Sequence, residues 1–151
     1  MSTFAALPPV MLAGFALLFG LLVGSFLNVV IHRIPLMMRR EWREQCVEEM
    51  AQPAPEIPEG RFNIVVPRSR CPKCGHGITA TENTPVVSWL MLRGRCAGCS
   101  AKISPRYPAV ELLTGLMFAA AAWLLPWPAQ ALAGIALTAT LIALSFIDID
   151  E

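Results

Sequence analysis

Charge is scarce in this sequence: only 15% of its 151 residues are Asp, Glu, Lys or Arg, against 55% hydrophobic residues and a mean hydropathy of +0.54. A chain so poor in charge cannot cover a water-facing surface, which excludes an ordinary soluble domain and indicates a membrane protein. No charged side chain occurs in residues 1–31, and no Lys or Arg lies outside the stretch from Arg33 to Arg106. The first absence leaves no basic region ahead of the first apolar run, and no small-x-small cleavage site accompanies it, so the run reads as a permanent helix and not as a signal peptide. The second gathers all twelve basic residues, with seven of the eleven acidic ones, into one segment. Those charges are dispersed and flanked by apolar runs, so they hold the segment in the cytosol; no nucleic-acid partner is expected.

The apolar runs set the architecture: a mainly α, polytopic membrane protein with three transmembrane helices. Val10 to Ile31 makes about 33 Å of helix, enough to span a bilayer. Domain 1–32 is therefore the first span, begun by Pro8 and Pro9. Near its end, Gly24 and Ser25 would let another helix approach closely, and Asn28 would need a partner inside the bundle. The second span is expected over 109–125. Pro126, Trp127 and Pro128 form a tight turn with an interfacial tryptophan, and the third span covers 129–147, about 28 Å. By the positive-inside rule, Arg33, Arg39, Arg40, Arg43, Arg95, Lys102 and Arg106 place the segment 33–108 in the cytoplasm, with the N-terminus and the 126–128 turn on the far side.

Within that cytoplasmic insertion, between the first and second spans, Pro35 is expected to end the first helix. Residues 37–44 read either as a short amphipathic helix resting on the bilayer through Met37, Met38 and Trp42, or as a solvated linker. Pro53, Pro55, Pro58 and Gly60 predict a loop, and Phe62 to Val66 a short strand. Cys71-Pro-Lys-Cys74 and Cys96-Ala-Gly-Cys99 follow, 21 residues apart. Two such knuckles suit a tetrahedral Zn²⁺, each offering two thiolates to one ion. A redox dithiol would need only one pair, disulfides would need an oxidising compartment, and a four-cysteine geometry also suits iron. We read a structural, zinc-ribbon-like site on Cys71, Cys74, Cys96 and Cys99, with no open coordination position for water. His76 could replace one sulfur, though four cysteines suffice, and Cys46 reads as an ordinary free thiol. The roughly 40 residues around the knuckles are too few to bury a core, so a metal is what would stabilise them. Residues Glu82 to Leu90 supply apolar groups to pack on the ribbon or to meet the membrane face.

Acidic groups stand at the edges of the later spans. Glu111 is expected in the first turn of the second span, where the helix dipole favours a carboxylate; a role in an adjacent site is the other reading. Asp148 and Asp150 close the third span. Two residues apart on a helix they point about 200° from each other, so they cannot serve one site together. They read either as a solvated helix stop or as one functional aspartate in a partly apolar medium.

Four segments carry a resemblance: Gly24-Ser-Phe-Leu-Asn-Val-Val-Ile-His-Arg-Ile-Pro35, the two cysteine knuckles, Arg106-Tyr-Pro-Ala-Val-Glu-Leu112, and Phe146-Ile-Asp-Ile-Asp150. Their order over residues 20–151 resembles that of the bacterial type IV prepilin peptidases. The resemblance implies an inner-membrane aspartic protease that removes the leader from type IV prepilins and type II secretion pseudopilins. It also implies methylation of the new N-terminal residue, usually Phe, by S-adenosylmethionine. It puts the first catalytic aspartate on Asp148 and the zinc ligands on the four knuckle cysteines. Gly94, between Arg93 and Arg95, is a candidate point for backbone to approach the methyl donor. The family's second aspartate lies in a Gly-x-Gly-Asp motif that this sequence lacks, so residues 148–151 are expected to begin a catalytic region cut short. One carboxylate cannot be both acid and base in a single step, and the chain is expected to be an N-terminal portion. The alternative is a non-catalytic membrane adaptor with a zinc ribbon.

Overall fold

The computed structural model describes residues 8–50, 62–125 and 128–150. The loop expected around Pro53, Pro55, Pro58 and Gly60, and the Pro126–Trp127 part of the expected turn, lie outside the described residues. Four helices account for most of the fold: α1 (Pro9–Met50), α2 (Val87–Met91), α3 (Arg106–Leu124) and α4 (Pro128–Asp150). No strand occurs among the described residues; the cysteine segment has only two isolated antiparallel bridges, Arg70 to Gly77 and Arg95 to Lys102. Three helices, α1, α3 and α4, are long and apolar enough to cross a membrane.

The pairing of α1 with α3 is the tightest contact in the molecule, and α4 lies against both. Its cause is the absence of side chains along one line. A Cβ on Gly20 would lie 2.8 Å from the Gly115 Cα, and one on Gly24 would lie 2.7 Å from the Glu111 Cα. Glycines four apart let two backbones approach closely, which in an apolar medium replaces the missing hydrophobic drive with van der Waals contact. Gly24 meets the expectation placed on it, whereas Gly20 and Gly115 went unread. Around this line Phe118, Val110 and Thr114 are fully buried. Leu27, Ile31, Val110, Ile142 and Ala143 form the core where the three helices meet. Facing outward are Phe15, Leu18, Leu22 and Phe26 of α1, Leu116 and Trp123 of α3, and Leu137, Leu141 and Leu144 of α4, all exposed. Such a surface is costly in water and suits hydrocarbon.

Two local expectations are overturned. Pro35 does not end the first helix: α1 runs through it to Met50. A proline removes one intrahelical hydrogen bond at a cost of about 3 kcal/mol. Strong helix formers follow it at Met37, Met38, Arg39 and Arg40, and an Arg40–Glu44 pair at 3.0 Å bridges one turn, so the helix continues. Residues 37–44 are consequently part of one long rod and not a separate surface helix, with Met38 and Trp42 exposed.

Phe62 to Val66 likewise forms a bend and not a strand. The Asn63 side chain accepts the N–H groups of Val65 at 2.8 Å and Val66 at 2.7 Å, and the Asn63 N–H bonds the Val66 carbonyl. Asparagine thereby supplies locally what a neighbouring strand would have supplied. Arg33 takes up the remaining carbonyls. Arg33 is a buried residue of α1, and its guanidinium donates to the carbonyls of Asn63 (2.7 Å), Ile64 (3.2 Å) and Pro67 (2.6 Å) and lies over the Phe62 ring. Read from sequence as a topology charge only, Arg33 is also the clasp that holds the start of the cysteine segment to α1.

Candidate functional site

Each cysteine knuckle is a tight turn closed by backbone hydrogen bonds. In the first, Cys71 N–H bonds the His76 carbonyl and Gly75 N–H bonds the Cys71 carbonyl; in the second, Cys96 N–H bonds the Ala101 carbonyl and Ser100 N–H bonds the Cys96 carbonyl. The turns bring all four sulfurs within 4.8 Å of one another. Cys71 and Cys99 lie 3.8 Å apart and Cys74 and Cys96 3.9 Å apart, with no disulfide among them. A tetrahedron with Zn–S bonds of about 2.3 Å has edges of about 3.8 Å, so the donor set fits a tetrahedral metal closely.

Two of the thiols are shifted in opposite directions. N–H groups of Cys74 and Lys73 pull the Cys71 thiol down to about 6. At Cys74 the His76 N–H favours the thiolate, but the Cys99 thiol, desolvation and the other sulfurs oppose it and the thiol rises to about 12. Four thiolates at these distances need a cation between them. His76 does not belong to the four-sulfur cluster, and its Nε2 meets Glu82 at 3.0 Å. Glu82 also accepts the Thr79 N–H and hydroxyl, both at 2.8 Å, and these bonds, the N–H first, lower its carboxyl to about 2. Cys46 stands apart, exposed on α1.

Gly94 has a structural occupant. Its φ is +65°, and a Cβ there would lie 2.9 Å from the Trp89 ring, so the indole covers its backbone. Trp89, on α2, donates from Nε1 to the Ile103 carbonyl at 3.2 Å, and the Ile103 N–H bonds the Gly94 carbonyl. Of the apolar stretch between the knuckles, Trp89 packs on the cysteine module, while Val87 and Leu90 are exposed.

Beyond Ile103 the chain enters a second feature. A pocket of about 250 Å³ lies where α1, α3 and α4 converge, lined by Asn28, Ile31, His32, Ser104, Arg106, Tyr107 and Asp150. Asn28 finds the partner its position demanded, donating to the Tyr107 carbonyl at 3.1 Å. Arg106 donates to Asp150 at 2.5 Å and to the Phe146 carbonyl at 3.2 Å, with its guanidinium over the Phe146 ring. The two aspartates divide as their spacing requires. Asp150 turns into the pocket and is held by Arg106, while Asp148 is exposed and has no hydrogen bond or ion pair among the described residues. Sequence reasoning read Arg106 only as a topology charge and part of a motif; its partner Asp150 is 44 residues away. Glu111 falls in the second turn of α3, because the helix begins at Arg106 and not near Ala109. It is therefore beyond the free N–H groups of the helix start, and its carboxylate is buried against the chain between the knuckles.

The bacterial peptidase A24 N-terminal domain matches residues 18–125. The chain is 53% identical over 136 residues to the prepilin leader peptidase/N-methyltransferase of Stutzerimonas stutzeri, covering 90% of this chain and 47% of that protein. It is 51% identical over 135 residues to the protein of the same name from Neisseria gonorrhoeae, covering 89% and 47%. With that of Burkholderia pseudomallei strain 1026b it shares 48% identity over 149 residues, covering 98% and 48%. The chain spans about half the length of the curated relatives it matches. No solved structure matches it.

Proposed function

The chain belongs to the bacterial peptidase A24 N-terminal domain family, and from that premise we propose that it forms the N-terminal part of a prepilin leader peptidase and N-methyltransferase. What supports this is identity of about one residue in two to three proteins of that name over nearly the whole chain. The substrates would be type IV prepilins or type II secretion pseudopilins, whose apolar helix lies beside α1, α3 and α4 in the bacterial inner membrane. The N-terminus is then periplasmic and the cysteine module cytoplasmic, the side on which reduced thiolates persist. Cys71, Cys74, Cys96 and Cys99 hold a structural Zn²⁺.

In the proposed reaction Asp148, at the cytoplasmic end of α4, is one of two carboxylates. As the base it takes a proton from water, whose oxygen attacks the scissile carbonyl; a second carboxylic acid protonates the departing amine. Asp150 does not supply that acid, since it points into the pocket and is paired with Arg106. The partner carboxylate comes from outside these residues. The amine released by cleavage would then accept a methyl group, which S-adenosylmethionine supplies in electrophilic form. For this second step Gly94 is the sequence candidate; with Trp89 over it, a donor would reach the module beside the indole and not at the glycine itself.

The test is prepilin cleavage in membranes containing the gene product that carries this sequence. Asp148→Asn should lower cleavage by about 10²–10⁴-fold. Cleavage at the parental rate by that variant would remove Asp148 from the mechanism.

A further inference from the structure

Glu111 does no work in the reaction above, yet it is one of the few buried charged residues of the described structure, 8% exposed. Its Oε2 accepts the backbone N–H of Val86 at 2.7 Å, across 25 residues of sequence. Val86 has a φ of +59°, left-handed backbone that a β-branched residue adopts only where its surroundings enforce it. The α1 side of the same residue is closely packed. Ser25 is buried, and the neighbouring Gly24 would drive a Cβ to 2.7 Å from the Glu111 Cα. The Glu111 carboxylate therefore joins α3 to the turn that opens α2, at the point where α1 packs on the α3 backbone.

What hangs on that turn gives the contact its reach. Val86 immediately precedes α2, whose Trp89 covers Gly94 and bonds Ile103. Gly94 lies two residues before Cys96, and Ile103 one residue before Ser104 of the pocket. These contacts and the short chain segments between them lead from Glu111 through Val86, Trp89 and Ile103 to the second knuckle on one side and to the pocket lining on the other.

We infer that Glu111 is a positioning residue, a latch that holds the turn at Val86 against α3 and so fixes the cysteine module over the membrane-edge pocket. Arg33 clasps the start of the module and Glu111 its middle, while the four cysteines hold it together internally. The latch does not depend on which reaction the pocket serves, so its failure and the failure of the peptidase reading are separately visible.

Hydrogen exchange on the purified, metal-loaded protein in detergent micelles tests the latch, with metal content measured in parallel. In E111A, exchange across residues 84–92 is expected to rise at least tenfold, while residues 112–118 of α3 and the metal content stay as in the parent. E111Q retains an oxygen acceptor and should exchange within threefold of the parent. Parental exchange at 84–92 in E111A overturns the inference. So does a parallel rise across α3 with loss of metal, which would make Glu111 a general folding residue. Should E111A fail to accumulate, E111D keeps the charge and shortens the side chain by one methylene, drawing the carboxylate away from the Val86 N–H. About threefold faster exchange at 84–92 is then expected, and an unchanged rate counts against the latch.

Discussion

The cysteine module and the helix bundle solve the same problem, how to order a chain without a large hydrophobic core, by opposite means. Of the buried hydrophobic residues described, only Cys96 comes from residues 62–105. The module gathers four sulfurs around one point and is tied by short backbone hydrogen bonds and by side chains clasping carbonyls. The bundle has no such point. Its helices meet along Gly20, Gly24 and Gly115 and leave most apolar side chains facing out, to be covered by lipid. One region gathers its candidate metal ligands at a single point and the other spreads its contacts along a line, so damage to each should look different.

Metal removal should separate them most clearly. Structural zinc contributes about 10–16 kcal/mol of binding free energy in small zinc modules. A chelator, or Cys96→Ser, is therefore expected to unfold residues 70–103 and open them to protease, while helical circular dichroism from α1, α3 and α4 is largely kept. Loss of the helical signal along with the metal would show that the bundle leans on the module. Gly24→Ala tests the reverse. Its Cβ meets backbone, not a flexible side chain, so α1 and α3 must move apart at a cost of about 1–3 kcal/mol, read as a lower thermal midpoint in detergent with metal content unchanged. Gly94→Ala acts inside the module. Left-handed backbone and the Trp89 ring both oppose a side chain there, and about 1–2 kcal/mol of local stability should be lost, seen as faster exchange around Trp89 and Ile103.

Smaller effects sharpen the comparison at its edges. Arg106 and Asp150 are each about one-third exposed, so Asp150→Asn should cost under about 1 kcal/mol and act chiefly by freeing the end of α4. Glu82 should give the module a modest acid sensitivity of its own. Its folded carboxyl lies at about 2 against an ordinary 4.5, so the stabilisation is complete above pH 4.5 and disappears as pH falls towards 2. Glu82→Gln should flatten the acid limb of the module's stability curve over that window, without altering the bundle.

The features legible in the sequence are those whose cause is local in the chain. Apolar runs of bilayer length, two Cys-x-x-Cys knuckles and an aspartate pair set about 200° apart each carry their meaning within a few residues. Spacing alone sent Asp148 and Asp150 to different faces, and the structure has them there. Where a local rule misled, another local term outweighed it: at Pro35 the helix formers that follow sustain α1, and at Phe62 to Val66 the Asn63 side chain replaced a strand partner.

Partnerships across long stretches of chain had no signature in composition or periodicity. Gly20 finding Gly115, Arg33 finding three carbonyls of a loop, Arg106 finding Asp150 and Glu111 finding the Val86 N–H are each settled by where helices cross. The sequence by itself determined that there would be three spans, a four-sulfur site between the first two and acidic groups at the membrane edge, because length, hydropathy and ligand spacing are properties of a segment. Only the tertiary structure decided which charges would be buried and what they would hold, because a desolvated Arg or Glu is tolerable only where a specific partner arrives from elsewhere in the chain.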